Sequence, residues 1–429
     1  MTSSFSAIFL AIPTILLLWL IYTKGRVQFI TPLNFMMIMS FGIMILPGLM
    51  SLLLFEPDVL VIKRATNYQT IVLALLYSFI VCLISCIWIA HERRIIKKLQ
   101  VGNIKLLHVN KITVLVFINI MVLLGIIFTR RVENIPLFHL LRFDALLAAE
   151  IKYQYMHKLI PTAPEVLNQY LRFFSSIAFF YCVFNFRRIQ GNAVMKIILT
   201  ITTFLLALIF FALDGHKSPA FLLVIGMLLL ISVRKQKLIH HVNILIGLLV
   251  MISFYSLFAS TISLGDRNLL EVFAERLFYG QMSGTIFIMD RFAPDLELLK
   301  HGFIGASHIF DNLPRKADSI IMEEIYGISS TNVNMNSFFI SEAFSWGGHF
   351  GIWFSIIFMF LYVIAVLHFL KFVSGRCYEI YYPLSASFFI FYFPILQGFN
   401  TFLYGRNLIF FVVFSSIFVF FRRSRFRIS

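Results

Sequence analysis

The sequence predicts an all-α, polytopic integral membrane protein, and three observations carry the prediction. The 429 residues are 60% hydrophobic and 13% charged, with a mean hydropathy of +0.88. At that composition a soluble domain lacks the polar side chains to cover its exterior. Apolar runs recur at the roughly 20-residue length that crosses about 30 Å of hydrocarbon. They are rich in Leu, Ile and Phe without the strict alternation of barrel strands, so helices must satisfy the backbone in lipid.

The apolar runs place about eleven spans, at 5–22, 29–54, 69–90, 112–129, 169–186, 197–212, 219–233, 240–260, 350–370, 380–397 and 407–421. The first, Phe5 to Tyr22, lacks a basic leader and an Ala-x-Ala cleavage site, and reads as a retained span. Cys82, Cys86 and Cys182 fall inside apolar runs and Cys377 in a short loop. That distribution suits buried small hydrophobes better than a disulfide framework or a metal site.

Charge orders the spans. Lys24 and Arg26 follow the first, and Arg93, Arg94, Lys97, Lys98, Lys105 and Lys111 follow the third. Arg187, Arg188 and Lys196 come next, then Arg234, Lys235 and Lys237, then Lys371 and Arg376, and finally Arg422, Arg423, Arg425 and Arg427. Short-loop Lys/Arg bias faces the cytoplasm, so the N-terminus is expected outside and the C-terminus inside. The net charge of +16 is then a topology and anionic-lipid signal, with no nucleic-acid partner implied. Val272 to Met289 is apolar but holds Glu275 and Arg276, each costing about 2.5–3.5 kcal/mol at mid-bilayer. It is expected to be an amphipathic helix on the membrane surface, because a twelfth span would invert every later loop.

Length is concentrated in two outward loops, 129–168 and Thr261–Asn336, the latter continuing through a Gly-rich stretch to position 349. Long loops in compact membrane proteins are usually functional. The first carries Arg130, Arg131, Arg142, Lys152 and Lys158 against the positive-inside trend. They fit either a solvated amphipathic helix or a cradle for a phosphate, which Arg binds bidentately. The second holds Arg267, Arg276, Arg291, Lys300, Arg315 and Lys316, with an Arg291-x10-Gly302 spacing enclosing Asp295 and Glu297. A D-x-E pair is a weak divalent-cation motif and more often a solvated turn.

Other polar groups lie at the outer boundary. Asp214-Gly215-His216-Lys217-Ser218 joins two spans and puts two cations at headgroup depth. Asn332 to Gly351 is half apolar and Gly-rich, fits a re-entrant or interfacial hairpin, and carries Glu342. Glu342 is a candidate proton acceptor or an ion-pair partner for an arginine. Arg172 and Arg406 open two spans, either snorkelling or pointing into a shared outward cavity. No P-loop, G-x-S-x-G, H-E-x-x-H or Cys/His metal spacing is present, so no metal or cofactor is expected.

On these residues the chain resembles the Wzy-type oligosaccharide repeat-unit polymerases of O-antigen and capsule assembly. The likeness covers the span-and-loop architecture, Asp214-Gly215-His216-Lys217-Ser218, Ser341-Glu342-Ala343-Phe344-Ser345-Trp346-Gly347 leading to Gly351, and Arg291…Gly302. It departs in the first loop, where Arg131 is followed at the same spacing by Arg142 instead of a glycine. The resemblance implies a metal-independent GT-C-type glycosyltransferase in a bacterial inner membrane. It would transfer a growing glycan from undecaprenyl diphosphate to an incoming lipid-linked repeat unit, alongside a chain-length regulator protein. Catalytic roles are then expected for Arg291, Glu342 and Arg276, and substrate binding for Arg142, Arg131, His216, Lys217, Arg406 and Arg315. The rival expectations are an O-antigen ligase of similar shape and a flippase or transporter. A transporter would put its ionisable groups mid-span and keep its loops short.

Overall fold

A computed structural model describes residues 31–37, 40–41, 45, 48–49, 68–99, 108–142, 144–156, 160–215, 217–235, 280–303, 309–310, 315–326, 338–393 and 398–423. The expected spans 5–22 and 240–260, most of 29–54, and the candidates Arg276 and His216 lie outside the described residues. So does the side chain of Lys217.

Every regular element among the described residues is helical. In chain order they are α1 (Pro32–Met37), α2 (Tyr68–Ile96), α3 (Val109–Arg130), α4 (Pro136–Leu141), α5 (Ala145–Met156), α6 (Glu165–Asn185), α7 (Ala193–Ala212) and α8 (Lys217–Lys235). There follow α9 (Gly280–Arg291), α10 (Ala317–Tyr326), α11 (Phe339–Val373), α12 (Tyr378–Ser387), α13 (Asn400–Leu403) and α14 (Arg406–Arg423). Gln69–Ile96, Val109–Arg130, Ala193–Ala212 and Phe339–Val373 are long and apolar enough to cross a membrane, and Arg406–Phe420 is a shorter apolar helix.

The core forms around α6, whose residues from Phe173 to Asn185 are all buried. A helix apolar on every side belongs inside a bundle, and α3, α7, α8, α12 and α14 surround this one. Aromatic edges and faces lock the layers, as in Phe173 against Phe411 at 5.5 Å and Phe211 stacked on Phe391 at 4.4 Å. Outward-facing Ile197, Ile201, Leu205 and Ile209 on α7 remain exposed, as a lipid-facing stripe requires. None of the four cysteines is in a disulfide, and Cys82, Cys182 and Cys377 are buried.

The two ends of the bundle differ in charge. At one end His91 meets His368 at 3.1 Å, the Val109 amide donates to the Gln190 carbonyl, Arg188 pairs with Glu379, and Arg234 donates to the Val183 carbonyl. These contacts gather the basic short loops after α2, α6, α8 and α11. At the opposite end Thr70 meets Asp290 at 3.0 Å, Arg130 meets Asp214 at 2.5 Å, and Arg406 meets Glu165 at 2.5 Å. Arg130 and Glu165, at the two ends of the first long loop, and Asp290 of the second therefore share that end.

Three expectations are corrected. The described part of the supposed surface helix, α9, is buried at Met282 and from Gly284 through Met289, and wedged against α2 and α11. Its Thr285 hydroxyl accepts the Phe338 amide at 2.9 Å, so even its polar face is used inside the fold. The stretch expected to be a re-entrant or interfacial hairpin of irregular backbone is regular helix from Phe339, and folds back on the ninth span at Gly348 (φ 57°, ψ −143°). The tenth span is interrupted: α12 passes into a π-turn over Phe388–Tyr392. Arg172 uses that irregularity, donating to the Phe391 carbonyl and lying 5.2 Å over the Tyr392 ring.

Candidate functional site

Three segments far apart in sequence meet beside Glu342. The first is α9 with the turn that follows it, where the Asp295 side chain accepts the Glu297 amide at 2.9 Å and starts a 3-10 helix over Leu296–Gly302. The Asp295 amide in turn donates to the Ser345 carbonyl at 2.8 Å, docking this turn on the start of α11. The second segment is that start, Phe339–Gly347, folded back at the Gly348 elbow. The third is Gly398–Tyr404, held to the first by Asn400 Nδ2 to the Leu298 carbonyl (3.0 Å) and Tyr404 OH to the Leu299 carbonyl (2.7 Å).

Glu342 sits where these segments join. Its Oε2 accepts the Asn400 amide at 2.7 Å. Gly398 approaches so closely that a Cβ there would fall 2.2 Å from the same oxygen. Lys316 and Asp318, at the start of α10, act on the carboxylate with opposite signs. Glu342 is half-buried as a residue, and Gly398 packs close against its carboxylate so that it is not free to swing. That combination suits a proton acceptor, which must be held in place yet reached by a hydroxyl.

The expected cations surround this junction unevenly. Arg291 ends α9 and meets Glu324 at 3.3 Å, while Arg315 pairs with Glu323, so both arginines are tied to α10. Arg406 opens α14 two residues after Tyr404 and reaches Glu165 on α6. Lys217 opens α8. Arg131 and Arg142 stand apart on the first loop, both exposed. Arg131 takes a left-handed φ of 62° and lies 3.8 Å from Glu133, and Arg142 closes α4. The D-x-E pair does not stand ready for a cation. Asp295 caps the turn, Glu297 pairs with Lys300, and no group of three metal-ligating side chains occurs among the described residues.

Sequence reasoning missed the residue that anchors the first loop. Arg130, counted only as one of five loop cations, is 1% exposed. It grips Asp214 and lies 4.1 Å over the Tyr155 ring. The Leu137 amide donates to the Leu213 carbonyl at 3.2 Å, so the end of α7 with Asp214 and the first loop form one clasp. Lys152 reaches into the clasp beside Asp214; burial pulls its ammonium below the ordinary lysine range, and Asp214 opposes that shift. The available signal was an Arg ending one span and an Asp ending another on the same side.

Breaking the clasp should be costly and asymmetric. Asp214→Asn leaves a fully buried guanidinium without its carboxylate, whereas Arg130→Met leaves a carboxylate that is one-third exposed. The expected loss for Asp214→Asn is about 3 kcal/mol, with less for Arg130→Met, and the double variant should lose less than the sum. Thermal unfolding in detergent checks both the order and the coupling. Strictly additive losses would mean that the pair does not hold the loop.

No protein-family model, curated protein or solved structure matches the chain.

Proposed function

We propose that this protein polymerises lipid-linked oligosaccharides, as the Wzy-type polymerases do. It would transfer a growing glycan from undecaprenyl diphosphate onto an incoming lipid-linked repeat unit at the outer face of a bacterial inner membrane. The observation that carries the reading is the Glu342 junction: a fixed, half-buried carboxylate where the start of α11, the turn after α9 and Gly398–Tyr404 meet, with Arg291 at the end of α9.

In this reaction the acceptor hydroxyl oxygen attacks the anomeric carbon of the donor glycan. The bond from that carbon to the diphosphate oxygen breaks, and undecaprenyl diphosphate leaves with the electron pair. Glu342 takes the hydroxyl proton, and the configuration inverts in a single displacement. Charge grows on the leaving diphosphate, so arginines near it lower the barrier, most of all where water is scarce. Arg291 and Arg315 are held by exposed ion pairs with Glu324 and Glu323. Such pairs contribute about 0–1 kcal/mol, so an arriving diphosphate can replace the carboxylates at small cost. Arg276, His216 and Lys217 would extend the anion-binding set, Arg406 would close it from α14, and Arg131 and Arg142 would meet the second lipid-linked substrate. A chain-length regulator is the partner this chemistry implies.

The deciding experiment removes the gene from its native host and examines glycan. Surface glycan reduced to a single repeat unit supports the polymerase. Glycan left complete on its lipid carrier would make the protein a ligase, and repeat units trapped inside would make it a flippase. Arg291→Ala should lower polymer yield by about a hundredfold, the effect of removing one donor to a developing anion. Glu324→Gln, which removes only the Glu324 charge beside Arg291, should leave it near wild type. Equal losses in both variants would assign Arg291 a purely structural ion pair.

A further inference from the structure

The basic end of the bundle carries a second feature, separate from the transfer chemistry. Helices α2 and α11 run parallel there and present matching side chains. His91 and His368 face each other, Nε2 to Nε2 at 3.1 Å with ring centroids 5.0 Å apart. One turn further along each helix comes a permanent cation, Arg94 on α2 and Lys371 on α11. The charged groups acting on His91 are His368, Arg94 and Lys371, so among the described residues like charges or groups able to become so meet without an acid. The acid in that turn of α2, Glu92, points the other way, into the core, where it accepts from Thr31 and from the Tyr381 hydroxyl.

Above the cations the same two faces are apolar and open. Leu83 and Ile87 on α2 are 43% and 53% exposed, and Ile357 and Leu361 on α11 are 59% and 60% exposed. Leu83 to Arg94 and Ile357 to His368 both span eleven residues, about three helical turns, so each apolar pair lies over its own cations. An apolar stripe ending in a two-rung cluster of cationic and imidazole groups has the profile of a single phospholipid. Acyl chain fits along the stripe, and a phosphate lies where His91, His368, Arg94 and Lys371 converge.

We propose that the α2–α11 face binds an anionic phospholipid, with its phosphate held by Arg94 and Lys371 and hydrogen-bonded by His91 and His368. The missing counter-charge of the cluster is supplied by the headgroup, and the lipid staples together two helices that meet from opposite parts of the chain. An Arg or Lys near an anionic headgroup raises its retention roughly fivefold, so the pair should give about twentyfold.

Native mass spectrometry of the full-length protein in detergent tests this with phosphatidylglycerol and phosphatidylcholine offered at equal ratio. Wild type should retain phosphatidylglycerol about twentyfold better. Arg94→Gln/Lys371→Gln should lose most of that preference, and His91→Gln/His368→Gln a smaller part. Lys97→Gln/Lys98→Gln, which removes two exposed charges from the same end, should keep it. Equal retention of the two lipids by wild type would overturn the proposal without any variant. So would an equal loss in Lys97→Gln/Lys98→Gln, which would reduce the effect to the general charge of that end. Should the Arg94/Lys371 double variant fail to insert, each single variant should lose about fivefold, and wild-type retention in both would overturn the site.

Discussion

Glu342→Gln should abolish long-chain glycan while leaving the protein folded. The carboxylate has two separable tasks, accepting the Asn400 amide at 2.7 Å and, in the proposed reaction, taking a proton from a sugar hydroxyl. Glutamine keeps a carbonyl oxygen at the same reach, so the contact to Asn400 and the join with Gly398–Tyr404 survive. What it cannot do is accept the proton, and loss of a positioned general base costs about 100- to 10,000-fold. Expression and thermal unfolding should therefore match wild type, and gel analysis of extracted glycan should show single repeat units. Wild-type chain lengths in this variant would leave Glu342 as the fastener of the Asn400 turn and nothing more. Gly398→Ala attacks the same group from the other side, because its methyl would enter the space of the Glu342 carboxylate and turn it away.

The second large effect is expected in Trp346-Gly347-Gly348-His349-Phe350-Gly351, where three glycines have three different reasons to be there. Gly348 adopts φ 57° and ψ −143°, a conformation essentially closed to residues with a Cβ. Gly351 lies so near the folded-back segment that a Cβ would meet the Ala343 carbonyl oxygen at 2.1 Å, a backbone atom that cannot step aside. Gly347 has open space around its missing Cβ. Gly348→Ala should cost about 1–3 kcal/mol in backbone strain. Gly351→Ala should cost at least as much, because it opens the elbow and withdraws Glu342 from Gly398. Gly347→Ala should be silent in stability and in glycan length. Melting temperatures of the three purified variants give the order directly. A Gly351→Ala protein as stable as Gly347→Ala would mean that the elbow is not held as described.

The outline of the molecule was legible in the sequence because lipid imposes it. Apolar run length located α2, α3, α7 and α11, the helices long and apolar enough to cross a membrane. What the sequence hid were cases where composition does not report depth. Gly280–Arg291 mixes Gly, Gln, Ser and Thr with Ile and Phe, which reads as one wet and one greasy face. The chain instead buries both, because Thr285 finds the Phe338 amide as a partner. Arg130 and Arg131 are adjacent and identical in type, yet one is sealed on Asp214 and the other stands in solvent at a left-handed φ. Only the exit angle of α3 separates them, and a one-dimensional pattern carries no such angle. The Glu342 site was half legible for the same reason. The acid and the W-G-G-H-F-G glycines stood out, whereas Asn400 and Gly398, more than fifty residues away, carried no mark of their shared purpose.

The parallel seam between α2 and α11 also sets a timetable for biogenesis. Tyr77 reaches His349 and Trp88 reaches the Phe360 carbonyl across 272 residues of sequence, and His91 reaches His368 across 277. At roughly 5–20 residues per second, a ribosome needs about 14–54 seconds to deliver the second helix after the first. Throughout that interval Tyr77, Trp88 and His91 stand in the membrane without their later partners. Any chain stopped short of Phe339 would keep them so.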